Sequence, residues 1–104
     1  LESITVTTPL WRWQSATAPA AWYFLTIEGD AADAVRVAAM TGQWLDGRRG
    51  FGSARVEARI GDSIWKTSVF PHRESGGWLL PVKAAIRRAE RLVEDEAVTV
   101  TVSL

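Results

Sequence analysis

Apolar and polar residues alternate with a period of two over much of the chain, the pattern of half-buried β-strands. Residues 3–13 begin it. Ile4, Val6, Thr8 and Leu10 hold one parity, Thr5, Thr7, Pro9 and Trp11 the other, and β-branched residues dominate. Pro9 marks an edge, a bulge or a break in this strand. Trp11 and Trp13 fall on one face with Arg12 opposite. After a small polar connection over 14–19, the run Ala-Trp-Tyr-Phe-Leu-Thr-Ile at 21–27 is apolar almost throughout and reads as a strand buried on both faces. The clearest alternation is 53–60, with Ala54, Val56, Ala58 and Ile60 inward and Arg55, Glu57 and Arg59 outward. Gly61-Asp62 is a two-residue hairpin loop leading into a partner strand over 63–70. Residues 71–77 form a polar loop and 77–80 a short strand. Residues 97–104 end the chain with Val98, Val100, Val102 and Leu104 inward.

Two stretches switch to helical spacing. Asp30 is placed as an N-cap, with Asp33 where a capping acid can sit, and Ala32, Val35, Ala38 and Ala39 line one side of a helix over 31–41 that Gly42 would stop. Residues 43–49, holding Trp44 and Leu45, are then a loop. Pro81 opens a second helix, a favoured place for a residue without an N–H. Over 82–93, Val82, Ala85, Ile86, Ala89, Leu92 and Val93 form one stripe and Lys83, Arg87 and Arg91 another. The order is ββαβββαβ. It predicts a single domain over 1–104, mainly β in the α+β class: a small, six- to seven-stranded closed or split β-barrel with two capping helices. The halves repeat weakly. A β-branched strand, a Trp-led strand at Trp22 and a helix are echoed by a strand, Trp65, a Trp-led strand at Trp78 and a helix. An internal duplication would place a pseudo-two-fold axis within one chain and leave less need for a partner subunit, so a monomer is expected.

Composition narrows the functional classes. At 104 residues with 47% apolar content the chain can bury an independent core. Its six Trp either fill that core, the preferred reading, or display aromatics at a binding surface. Basic and acidic residues balance at 12 each, which argues against a dedicated nucleic-acid or polybasic membrane binder. Without Cys there is no disulfide, thiol nucleophile or thiolate metal site, and without Asn no N-glycosylation. No apolar run approaches the ~20 residues of a membrane span. Residues 1–8 lack the basic start and apolar centre of a signal peptide, so the cytoplasm is expected.

Four motifs in order carry a resemblance: Trp22-Tyr23-Phe24, Arg49-Gly50-Phe51-Gly52-Ser53, Trp65-Lys66-Thr67-Ser68-Val69-Phe70-Pro71, and Gly77-Trp78-Leu79-Leu80-Pro81-Val82-Lys83. Together they cover nearly the whole chain, which resembles the bacterial family DUF1905, a domain of unknown function. The resemblance implies a small β-barrel with two capping helices, similar to double-split barrels. It implies no reaction and brings no catalytic residues.

Three constellations could carry chemistry. Arg48 and Arg49 beside Phe51, with Gly50 and Gly52 flanking it, could hold a phosphate or carboxylate through backbone amides and guanidinium groups. The plainer reading is a tight entry into a strand. The Walker spacing is absent. Lys66, Lys83, Arg87 and Arg91 with Trp65 and Trp78 form a basic, aromatic set that could pair phosphates and stack bases. The plainer reading is a solvated helix face above core indoles. His72 with Arg73, Glu74 and Ser75 holds the residue types of acid–base catalysis, but sequence neighbours rarely converge on one reacting atom. A lone His is also a poor start for a metal site. No catalytic residue, metal or cofactor is therefore assigned. The expected function is a non-enzymatic barrel binding a small anionic ligand or a protein partner, with Arg48, Arg49, Phe51, Gly52, Lys66, Trp78 and Lys83 as ligand-binding candidates. A nucleic-acid-binding module is the alternative, by analogy with double-split barrels, and an uncharacterised enzyme comes third.

Overall fold

In a computed structural model, residues 3–17, 20–46 and 53–104 are described, 41–46 by their backbone alone. Among them run β1 (Ser3–Pro9), β2 (Trp11–Gln14), β3 (Ala21–Ile27), α1 (Gly29–Asp46), β4 (Ala54–Ile60), β5 (Ser63–His72), β6 (Gly77–Pro81), α2 (Ala84–Ala89) and β7 (Ala97–Ser103). The strands form one antiparallel sheet in the order β1-β7-β4-β5-β6-β3-β2. The sheet curls into a half-barrel and stays open, so of the closed or split barrel expected, the closed form is not reached. Its outer strands are β1 and β2, which the sequence pattern joins into one. The chain breaks between them at Leu10, which is fully buried. Pro9 ends the ladder with β7 and Trp11 starts a new one with Phe24 of β3. The junction is held by the Leu10 N–H donating to the Glu96 carbonyl and the Asp95 N–H donating to that of Leu10. The element order is thus βββαβββαβ.

The alternation in β4 and β7 holds. Val56, Ala58, Ile60, Val98, Val100 and Val102 are all buried, and Gly61-Asp62 joins Ile60 to its register partner Ser63. β5 runs on through Pro71 and His72, residues expected in a loop. It pairs with β4 from Ser63 to Val69 and with β6 from Phe70 to His72. Leu25, Ile27, Val69 and Leu80 complete the inner face with no exposure, each stabilising the fold by about 1.5–3 kcal/mol relative to an exposed side chain. Ala32 and Val35 of α1 and Ile86 of α2 pack onto the same core.

Both helices depart from their expected limits. α1 continues through Gly42 to Asp46, because one Gly within a helix costs only about 1 kcal/mol and Gln43, Trp44 and Leu45 are tolerable helix residues. Asp30 lies in its first turn, where a negative charge suits the helix dipole, and Asp33 bonds Arg36 rather than the helix start. α2 shrinks to six residues. Pro81 does not open it, being still paired with Phe24 in the sheet, and the Val82 N–H is held by the Tyr23 carbonyl at 2.9 Å. Ala85, Ala89 and Val93 of the expected stripe are exposed; Val82 and Ile86 are buried. No helix among the described residues is long and apolar enough to cross a membrane.

Candidate functional site

The short length of β6 creates a groove. Register pairs Phe24 with Pro81 and Phe70 with Leu79, so beyond Pro81 the strands on either side of β6 continue without it. The chain leaves the sheet there and turns into α2. A slot of ≈430 Å3 opens between the start of β3, the first half of β5 and the start of α2. Tyr23, Trp65 and Val82 lie in its wall, and Lys66, Lys83 and Arg87 bring three cations to it. Lys83 precedes the first residue of α2 and Arg87 lies four residues further, so the helix presents both on one side.

The three cations are held differently. Arg87 is anchored: its guanidinium carbon lies 3.8 Å from the centroid of the Tyr23 ring and its Nε donates to the Val82 carbonyl at 3.2 Å. This cation–π contact fixes the plane of the group. Lys66 and Lys83 are exposed. Glu57 is the register partner of Lys66 on β4, yet none of the three cations forms an ion pair with a carboxylate among the described residues. No charged side chain is buried among those residues either. The arrangement can attract and orient an anion, with one preorganised guanidinium and two exposed ammonium groups.

Outside the slot, the outer face of β2, β3, β5 and β6 is aromatic. Trp11 and Trp13 on β2 face Phe24 and Trp22 on β3 in register, and Phe70 on β5 faces Leu79 on β6. These residues surround a hollow of ≈560 Å3. The Trp11 indole N–H donates to Thr26 Oγ1 at 2.9 Å, and its ring lies 5.3 Å from that of Phe24. Trp13, Trp22 and Phe70 are 47%, 54% and 46% exposed. The expectation that 21–27 is buried on both faces fails here: Leu25 and Ile27 face the core, whereas Trp22 faces out. Only the strand register reveals this, since it puts Trp11, Trp13, Trp22, Phe24 and Phe70 on the face that Arg55, Glu57 and Arg59 hold in β4.

The candidate residues are brought together only in part. Lys66 and Lys83 share the slot with Arg87 and Trp65, as their grouping required. Arg91 does not line it, because α2 ends first. Trp78 is a core residue, 5% exposed, with its indole N–H donating to the Ala32 carbonyl at 3.1 Å. Arg48, Arg49, Phe51 and Gly52 lie outside the described residues. His72 at the end of β5 and Ser75 in the following turn do converge, with His72 Nδ1 2.8 Å from Ser75 Oγ and His72 Nε2 3.9 Å from the Glu74 carboxylate. Ser75 Oγ also accepts the Gly77 N–H and the Gly76 N–H donates to the His72 carbonyl, so this set closes the β5–β6 turn. No three potential ligands cluster to hold a metal among the described residues.

Fold and slot together define a small antiparallel half-barrel with two helices and a cation-lined groove where one strand stops short. Over residues 7–102 the chain matches DUF1905, a domain of unknown function, and it belongs to that family. No curated protein matches it.

Proposed function

We propose that this chain is a non-enzymatic, monomeric, cytoplasmic binding module whose slot between β3 and β5 takes a small anionic ligand. The observation that carries this is the convergence of Lys66, Lys83 and Arg87 on one concave site, with Arg87 already oriented by Tyr23. The slot's volume lies within the range of about 300–1,000 Å3 typical of small-molecule pockets. The test is a thermal-shift screen of anionic metabolites at low salt, on wild type and a Lys66→Ala/Lys83→Ala variant. An anion at ~100 times its Kd adds about 2.7 kcal/mol and raises Tm by roughly 10–20 °C in a domain of this size. That gain should largely disappear in the double variant. Equal gains in both proteins would place the anion elsewhere, and an Arg49→Ala variant then asks whether the Arg48–Gly52 segment holds it.

A second reading is a nucleic-acid-binding module, favoured by the exposed Trp22 beside the same three cations. Titration with mixed-sequence DNA and RNA decides it. Binding that weakens steeply with salt supports this reading, and none at low salt removes it.

A further inference from the structure

Trp22 belongs to both concavities, lining the cationic slot and the aromatic hollow alike. Strand parity makes the two continuous. Lys66 and Phe70 on β5, and Trp22 and Phe24 on β3, alternate with the inward-facing Trp65, Val69, Tyr23 and Leu25, so the lip of the slot and the aromatic wall share the outer sheet face. The Trp22 and Phe24 rings lie parallel within 7° with centroids 6.3 Å apart, and Trp22 stays half-exposed where the slot meets the aromatic hollow. From this juxtaposition, and resting on the anion-site reading above, we infer that the ligand is a small molecule joining a flat aromatic ring to a carboxylate or phosphate. The anion sits among Lys66, Lys83 and Arg87, and the ring lies on Trp22.

Size and charge select this occupant. At ~200 Å2 per large aromatic side chain, the three half-exposed rings offer on the order of 300 Å2, well short of the roughly 800 Å2 per side of a stable protein interface. The three cations of the slot stand at one end of the aromatic wall, where Trp22 joins the two concavities, and the chain carries no net charge. A nucleic-acid strand would need phosphate contacts along the whole platform. One anionic group and one ring system match what the surface supplies. Both carboxylate and phosphate fit the cation set, since guanidinium and ammonium groups pair with either.

The test measures affinity for four probes on the intact chain: 1-naphthyl phosphate, 1-naphthoate, 1-naphthol and inorganic phosphate, with a short oligothymidylate as a fifth arm. At least one ring-bearing anion should bind about tenfold or more tighter than both naphthol and inorganic phosphate, a gain of the size expected from one aromatic stack. Comparing naphthyl phosphate with naphthoate identifies the anion. Trp22→Ala should abolish the tenfold advantage and Trp22→Phe should keep part of it, which separates lost stacking from lost folding. Naphthol binding as tightly as the anions, inorganic phosphate as tightly as naphthyl phosphate, an advantage insensitive to Trp22→Ala, or oligothymidylate binding tighter than every small probe would each overturn the inference. Inorganic phosphate that binds and depends on Lys83, without any gain from the ring, would overturn this inference alone. No anion bound by the wild type would overturn the anion site itself.

Discussion

Gly76 and Gly77 are adjacent, yet they are glycines for different reasons. Gly76 takes φ +73° in the β5–β6 turn, and a Cβ there would meet nothing within 4 Å. Gly77 is a matter of space. β6 enters the sheet against the end of β3, and a Cβ at Gly77 would overlap the Ile27 carbonyl oxygen and lie 3.3 Å from the Glu28 Cα. The obstacle is backbone, which cannot swing aside as a side chain would. Gly76→Ala should therefore cost only the left-handed strain, about 1 kcal/mol. Gly77→Ala should cost roughly 2–4 kcal/mol by forcing β3 and β6 apart, lowering Tm by at least ~10 °C. Equal Tm values for the two variants would mean that the β3–β6 contact yields without penalty. The same contact positions Trp78 opposite Ile27, so its loss would also loosen the inner side of the half-barrel.

At the scale of elements, α2 shows how a helix stops without the residue that usually stops it. Arg91 adopts φ +53° just after the C-cap Glu90. The Leu92 N–H returns to the Arg87 carbonyl at 2.9 Å and the Arg91 N–H to that of Arg88 at 3.3 Å. These two bonds define a Schellman stop, in which the left-handed residue is ordinarily Gly. Arg91→Gly should relieve the strain and, after the greater entropy of its unfolded chain, raise stability by about 0.5–1 kcal/mol in a denaturant titration. A destabilised Arg91→Gly would show that the Arg side chain contributes more than the strain costs. This stop was not legible from the chain, because neither Gly nor Asn marks it. The strands were more legible. β4 and β7 carry strict alternation and Gly61-Asp62 is a turn of few alternatives, so their inward residues could be read directly. The break at Leu10 could not. Pro9 offered an edge, a bulge or a break, and the choice depends on β7 and β3, both remote in sequence. The candidate site was half legible for the same reason: Lys83 and Arg87 are local, but meeting Lys66 requires β6 to end at Pro81.

At the scale of the whole molecule, four of the described indoles fall at two extremes that composition alone could not separate. Trp65 and Trp78 close the core, at 7% and 5% exposure, whereas Trp13 and Trp22 stand on the outer face. Strand parity assigns each, and the assignment turns an aromatic-rich composition into a functional claim. A Trp retained at the surface contributes little to the fold. Trp13→Ser and Trp22→Ser should change stability by no more than about 0.5–1 kcal/mol each, whereas Trp78→Ala should cost about 3–5 kcal/mol, since it empties a core volume and removes the indole partner of the Ala32 carbonyl. Urea unfolding of the three variants measures this directly. A second readout comes from accessibility: acrylamide should quench a smaller fraction of native fluorescence in Trp22→Ser than in wild type, because an exposed emitter is gone. If Trp22→Ser instead unfolds as readily as Trp78→Ala, the outer indoles hold the sheet together, and the aromatic wall is a structural layer with no surface left over for a ligand.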